Sequence, residues 1–143
     1  MAILITGGAG YVGSHAVRAL LERGAAVVVL DDLSTGYIGA VDSKAVFYRG
    51  AIQDGSLLDR IFTDHPIDGV MHFAAKSLVG ESIMEPLKYY EHNVNGTKVL
   101  LESMIKNNIK NLVFSSTAAV YGEPLYTPID EAHTTKPISP YEF

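Results

Sequence analysis

The sequence has no cysteine in its 143 residues. That excludes a disulfide scaffold, a thiol nucleophile, and zinc or iron–sulfur centres held by thiolates. It has no apolar run near the ~18 residues of a membrane-spanning helix, so no membrane partner is expected. It has no basic surplus: 11 Lys and Arg face 16 Asp and Glu, giving a net charge of −5 and a pI of about 5.4. Nucleic-acid surfaces are normally basic, so nucleic acid is not an expected partner either. Nothing reads as a linker, a repeat or a low-complexity tract. Residues 1–6 run straight into glycines and do not read as a targeting signal. What is present is a globular composition. Hydrophobic residues make up 48% of the chain, within the ~45–50% usual for folded domains. At ~150 residues per domain, the length suggests one domain, expected to be soluble and cytoplasmic.

Short apolar runs alternate with helical patterns. Residues 2–6, 26–30, 45–49, 69–73 and 112–115 read as strands, several of them buried on both faces. Between them, Val12, Ala16, Val17, Leu20 and Leu21 recur at helical spacing, with Gly24 as the stop. Leu57, Leu58, Ile61 and Phe62 mark a second helix over 56–63. Residues 87–107 predict one long helix with Pro86 in its first turn. Strand–helix alternation implies βαβ units, a parallel sheet and helices on both faces. The fold class is therefore α/β, Rossmann-like, with about five strands in the order 3-2-1-4-5 expected from right-handed crossovers. Residues 122–140 hold four prolines and little periodicity, and read as a long loop of the kind that often carries function.

Gly7, Gly10 and Gly13 fall between the first strand and the first helix. This spacing suits a dinucleotide: a tight turn, a close backbone approach to pyrophosphate, and close helix–sheet packing. The helix start then offers free N–H groups and a partial positive charge. A glycine pattern alone is weak, and a plain glycine-rich turn is the ordinary alternative. Asp31 strengthens it, closing the second strand 18 residues after Gly13. An acid there accepts the ribose hydroxyls and repels a 2′-phosphate, which favours NAD over NADP. Asp32 reads as a solvated loop acid.

These residues resemble the extended short-chain dehydrogenase/reductase superfamily and, within it, the N-terminal half of the UDP-glucose 4-epimerase family. The resemblance spans residues 1–141 and rests on TGGAGYVGSH, VLDDL, HFAAKSLVGES, PLKYY, NVNGT, FSSTAAVYG and Ser139-Pro140-Tyr141. It implies a bound NAD, a UDP-sugar substrate, and inversion at the sugar C4 by oxidation, rotation of the 4-keto sugar and re-reduction. It further implies cofactor contacts from Gly7, Gly10, Tyr11, Val12, Gly13, Asp31, Ile52, Phe73, Ala74 and Ala75. Tyr141 would be the general base and Thr117 the hydroxyl on the reacting oxygen, with Ser115 and Ser116 as weaker neighbours. Three positions depart from the family pattern. Ala51 stands for an Asp near the adenine, Ser77 for the Lys some members place near the nicotinamide ribose, and His92 for the first Asn of Asn-Asn-Val.

Taken singly, Thr117 could be a loop hydroxyl satisfying backbone, and Tyr141 one of eight tyrosines. Ser139 is suited to cap a helix and Pro140 to its first position. The family continues as Tyr-x-x-x-Lys, which would put Lys at position 145, past Phe143. A free Tyr has a pKa of about 10, and reaching ~7 requires roughly 4 kcal/mol of differential stabilisation. The chain is accordingly expected to be the N-terminal part of a longer homodimeric protein, with little activity or NAD affinity alone. A 4,6-dehydratase is disfavoured, because Ala118-Ala119 follow Thr117 where that reaction needs an acid and a base. Another 4-epimerase, such as one acting on UDP-glucuronate, and a non-catalytic NAD-binding module remain open. The five histidines show no metal spacing; His72 reads as a core or near-site residue.

Overall fold

The computed structural model describes residues 1–142. Its centre is a five-stranded sheet made of β1 (Ala2–Thr6), β2 (Ala26–Asp31), β3 (Val46–Arg49), β4 (Ile67–His72) and β5 (Leu112–Phe114). All pairings are parallel, in the order β3-β2-β1-β4-β5, as the alternation predicts. The central strands read as near-continuous apolar runs because both faces are covered.

Period-two alternation divides the core between those faces. Ile5, Val27 and Val29 pack with Val17 of α1 (Tyr11–Glu22). Leu4, Val28, Leu30 and Val70 pack with Leu58, Ile61 and Phe62 of α2 (Gly55–Asp64) and with Leu100 and Met104 of α5 (Gly96–Lys106). Asp54 caps α2 by accepting the Leu57 N–H at 3.0 Å. Asp59 joins α2 to α5, accepting from Ser103, Lys106 and Asn107.

Three features differ from the sequence expectation. A short helix, α3 (Val79–Met84), follows β4; at six residues it is too brief for a periodic signal. The expected long helix is α4 (Pro86–Tyr89), a π-helical turn over Tyr90–Asn95, and then α5. π turns inside helices are rare and concentrate at functional sites. Third, the Ser139 hydroxyl is buried without a partner among the described residues. The amide it would cap, that of Glu142, is bonded to the Ser139 carbonyl at 3.0 Å. The Glu142 carboxylate instead accepts the Ser139 and Ile138 N–H groups.

Residues 122–140 contain no helix or strand, as expected. His133 fastens this segment. Its Nε2 accepts the Leu125 N–H at 3.0 Å, and its ring lies against Tyr121 and Tyr126. No helix among the described residues is long and apolar enough to cross a membrane.

Candidate cofactor cleft and catalytic cavity

The strand order reverses between β1 and β4, and at such a point the loops after the strands part to leave a crevice. Two cavities open there. The first is lined by Gly7, Gly10, Asp31, Ile52 and Lys76, among others. The second, of ≈ 440 Å³, is lined by residues that include Asn93, Thr97, Phe114, Thr117 and Tyr141. Phe73, Ala74 and Ala75 border both and form a common floor.

The glycine loop takes the shape its spacing predicts. Gly7 has φ +74°, and a Cβ on it would lie 2.6 Å from the Ala74 nitrogen, so a side chain fails on both counts. A Cβ on Gly13 would lie 2.1 Å from the Gly7 carbonyl oxygen, so only glycine lets α1 sit this close to the loop. Gly10 precedes α1 without a side-chain cap. The first N–H groups of α1, from Tyr11, Val12 and Gly13, therefore have no partner within the helix. The Tyr11 and Val12 side chains are exposed and line neither cavity. Any contact from these two residues to a ligand in the cleft falls to their backbone amides.

Asp31 is buried at the end of β2. One carboxylate oxygen accepts the Ala9 N–H at 2.9 Å, and the other accepts the Leu33 N–H at 2.8 Å. Each oxygen keeps a second lone-pair site for a ligand hydroxyl. A Cβ on Gly36 would stand 2.9 Å from the Asp31 Oδ1, so this glycine keeps the carboxylate uncrowded. Asp32 is not the solvated acid that sequence suggested. It is half-buried and lines the cleft. Burial opposes its charge, but hydrogen bonds from Ser34 and the nearby Lys76 and His92 outweigh it, and its carboxyl lies below the usual value. Its position beside a glycine loop is the signal that marks it.

Of the three departures from the family pattern, Ala51 and His92 line this cleft, while Ser77 is exposed and lines neither cavity. Gln53 donates from Nε2 to His92 Nδ1 at 2.8 Å. His72 is buried, with Nδ1 2.6 Å from Thr6 Oγ1 and Nε2 3.0 Å from Thr97 Oγ1. The Thr97 hydroxyl donates to the Asn93 carbonyl at 2.6 Å, so it accepts from His72. That makes His72 the Nε2–H tautomer and leaves Nδ1 to accept from Thr6. Burial pushes its pKa down to about 4.

Thr117 and Tyr141 lie 24 positions apart in sequence, yet both are half-buried and line the second cavity. The Thr117 oxygen accepts the Ala119 N–H at 3.1 Å, which leaves the hydroxyl proton free to donate into the cavity. The Tyr141 ring meets that of Tyr89 edge-on, with centroids 6.4 Å apart. Ser115 and Ser116 also line this cavity and are exposed. Asn93 and Lys76 were not singled out by residue type: the Asn93 side-chain amide binds the Lys76 backbone, and the Lys76 side chain reaches the cleft beside Asp32.

A family model described as GDP-mannose 4,6 dehydratase matches residues 4–143. The chain belongs to that family. Within it, the chain is 58% identical over 141 residues to a UDP-glucose 4-epimerase of Halalkalibacterium halodurans, covering 99% of this chain and 42% of that protein. It is 55% identical to the UDP-glucose 4-epimerase of Lactobacillus helveticus, covering 99% of this chain and 43% of that one. A crystal structure of a UDP-glucose 4-epimerase from Brucella ovis in complex with NAD superposes with a TM-score of 0.93 at 42% identity, covering 99% of this chain and 43% of that one. The chain thus spans less than half the length of the relatives it matches.

Proposed function

We propose that this chain is the cofactor-binding part of an NAD-dependent 4-epimerase that interconverts UDP-glucose and UDP-galactose. The observation that carries the reading is the meeting of Thr117 and Tyr141 in one cavity whose floor is shared with the glycine-loop cleft. The cleft fits NAD chemically. It joins uncapped helix amides for pyrophosphate to a buried carboxylate with free lone pairs for ribose hydroxyls. Gly7, Gly10 and the first amides of α1 would hold the phosphates, Asp31 the ribose, and Ile52 the adenine. Bound there, NAD supplies reversible hydride exchange at the sugar C4.

The protein's own residues move the proton. Tyr141 would take it from the C4 hydroxyl and return it after the ring has turned. Thr117 would keep its proton and donate a hydrogen bond to the same oxygen, holding it in place. Ala118 and Ala119 have no acid or base to offer, which supports epimerisation over loss of water. Glucose and galactose are favoured by the names of the relatives; UDP-glucuronate is the runner-up sugar. A cytoplasmic location fits the substrate class. A homodimer is supported by exposed Leu87, Tyr90 and Ile105 on one continuous helical stretch.

The test is conversion of UDP-galactose to UDP-glucose by the protein that carries this chain, with UDP-glucuronate assayed alongside. Epimerisation that Tyr141→Phe abolishes supports the reading. A 4-keto-6-deoxy product, or no turnover of any UDP-sugar, overturns it. A polypeptide of these 143 residues alone is expected to show little or no conversion.

A further inference from the structure

The segment between Thr117 and Tyr141 is closed by a side chain that no motif includes. Residues 123–132 and 134–136 are exposed, and His133 alone in that stretch is buried. A loop that buries so little apolar surface of its own keeps one shape only through specific bonds. His133 supplies two. The Thr134 carbonyl can only accept, so the Nδ1 that lies 2.8 Å from it carries the ring proton. The Leu125 N–H can only donate, so Nε2, 3.0 Å away, is unprotonated. Both bonds demand the same neutral tautomer. Asp130 shapes the turn that presents the ring. Its carboxylate accepts the Tyr126 hydroxyl at 2.8 Å and the Ala132 N–H at 3.0 Å, and its carbonyl accepts the His133 N–H at 3.2 Å.

The loop is also shut at its neck. The Val120 carbonyl accepts the Lys136 N–H at 3.0 Å. Gly122 passes the same point with φ +62°, where a Cβ would stand 2.1 Å from the Lys136 carbonyl oxygen. Val120 lines the cavity that Thr117 and Tyr141 share, and His133 does not. The outgoing arm of the loop leaves from Val120, and the returning arm runs on to Tyr141. His133 ties those arms together, through Leu125 on one and Thr134 on the other, with its ring against Tyr121 at the neck.

We propose that neutral His133 is a positioning residue for the Thr117–Tyr141 pair, pinning the 121–136 loop so that its neck delivers both residues to one cavity. It acts from outside that cavity, through the loop. The proposal rests on reading Thr117 and Tyr141 as the reacting pair.

The test uses the protein that carries this chain, with UDP-galactose turnover and amide hydrogen exchange on wild type, His133→Phe and His133→Gln. His133→Phe keeps a ring for the two tyrosines and removes both hydrogen bonds. Exchange at the Leu125 and Lys136 amides should rise about tenfold or more, kcat should fall by a similar factor, and KM should change far less. Amides of β1, β2 and α1 should keep wild-type protection. His133→Gln keeps an oxygen that can accept the Leu125 N–H, and should restore part of both effects. Unchanged exchange at Leu125 and Lys136 in His133→Phe overturns the pin. So does faster exchange there with kcat within twofold of wild type. A rise in exchange across the whole sheet also overturns it, making His133 a residue of general stability. If His133→Phe does not fold, Gly122→Ala opens the neck without touching the ring. It should lower kcat in the same way, and wild-type turnover with faster Lys136 exchange would overturn the proposal. A wild-type protein that turns over no UDP-sugar would count against the reading of the reacting pair, while exchange at Leu125 and Lys136 would still decide whether His133 pins the loop.

Discussion

Thr6 Oγ1 stands 2.6 Å from Nδ1 of His72, its register partner across the β1–β4 pair, and holds a neutral imidazole in the core. The other ring nitrogen is taken by Thr97, and the ring packs against Phe114. No charged group among the described residues bonds to the ring, and burial brings its pKa down to about 4 from the ordinary 6.5. A depressed folded-state pKa means that the unfolded chain takes the proton first. The contribution to stability is present above pH 6.5 and is lost as pH falls towards 4. Between pH 7 and pH 5 the loss should be about 2 kcal/mol. Urea denaturation at the two pH values, on wild type and His72→Asn, reads it directly. Equal losses in the two proteins would remove His72 as the source.

Gly13 is where α1 rests on the glycine loop. Its missing Cβ would stand 2.1 Å from the Gly7 oxygen, a backbone atom that cannot swing aside. Gly13→Ala should therefore push α1 off the loop and lower stability by ~1–3 kcal/mol, as overpacking does. NAD affinity should fall further than stability, since the N–H groups of Tyr11 and Val12 move with the helix. Gly24→Ala is the control. Unlike Gly13 it has a positive φ, which strains an alanine, but nothing lies within 4 Å of its Cβ, so it should lose stability without a matching loss in NAD binding.

Asp31 combines a structural and a recognition role. Its carboxylate holds the Ala9 and Leu33 amides and keeps lone pairs facing the cleft. Asp31→Asn keeps one acceptor and removes the charge. Discrimination against NADP should then drop about tenfold or more, because the repulsion of a 2′-phosphate is gone. Titration of both cofactors against wild type and variant measures the ratio. A ratio that does not change would show that Asp32, also half-buried in the cleft, carries the exclusion.

The sheet was readable because each central strand is covered on both faces and therefore written as an apolar run. Strand order followed from crossover handedness, and the cleft from Gly7, Gly13 and Asp31, whose types are dictated by backbone geometry and charge. The π turn was not readable. Nothing in the residue types of Tyr90–Asn95 specifies a π turn, and this stretch is tied by the tertiary bonds of Asn93 to Lys76 and of Thr97 to His72. The backbone part of Lys76 left no trace for the same reason: Asn93 binds its N–H and carbonyl, which any residue would present. Thr117 and Tyr141 sit between these cases. Residue type alone could not select them, and the family motif did.

Thr117 makes one hydrogen bond inward and has one left to give. Its oxygen accepts from Ala119, which turns the chain into the short 3-10 helix Ala118–Tyr121, and its proton bonds to none of the described residues. Thr117→Ser keeps both functions and should leave kcat within about tenfold of wild type in the protein that carries this chain. Thr117→Val keeps the shape and removes both. It should lower kcat by about 10²-fold or more, the scale of a lost hydrogen-bond donor to a developing oxyanion, and change KM far less. The structural share of that loss is separable. Unfolding measurements on the two variants should differ by only about 1 kcal/mol, the worth of one neutral hydrogen bond. A Thr117→Val protein that turns over at the wild-type rate would reduce Thr117 to a cap for the turn and move the hydrogen-bonding role to Ser115 or Ser116, which line the same cavity.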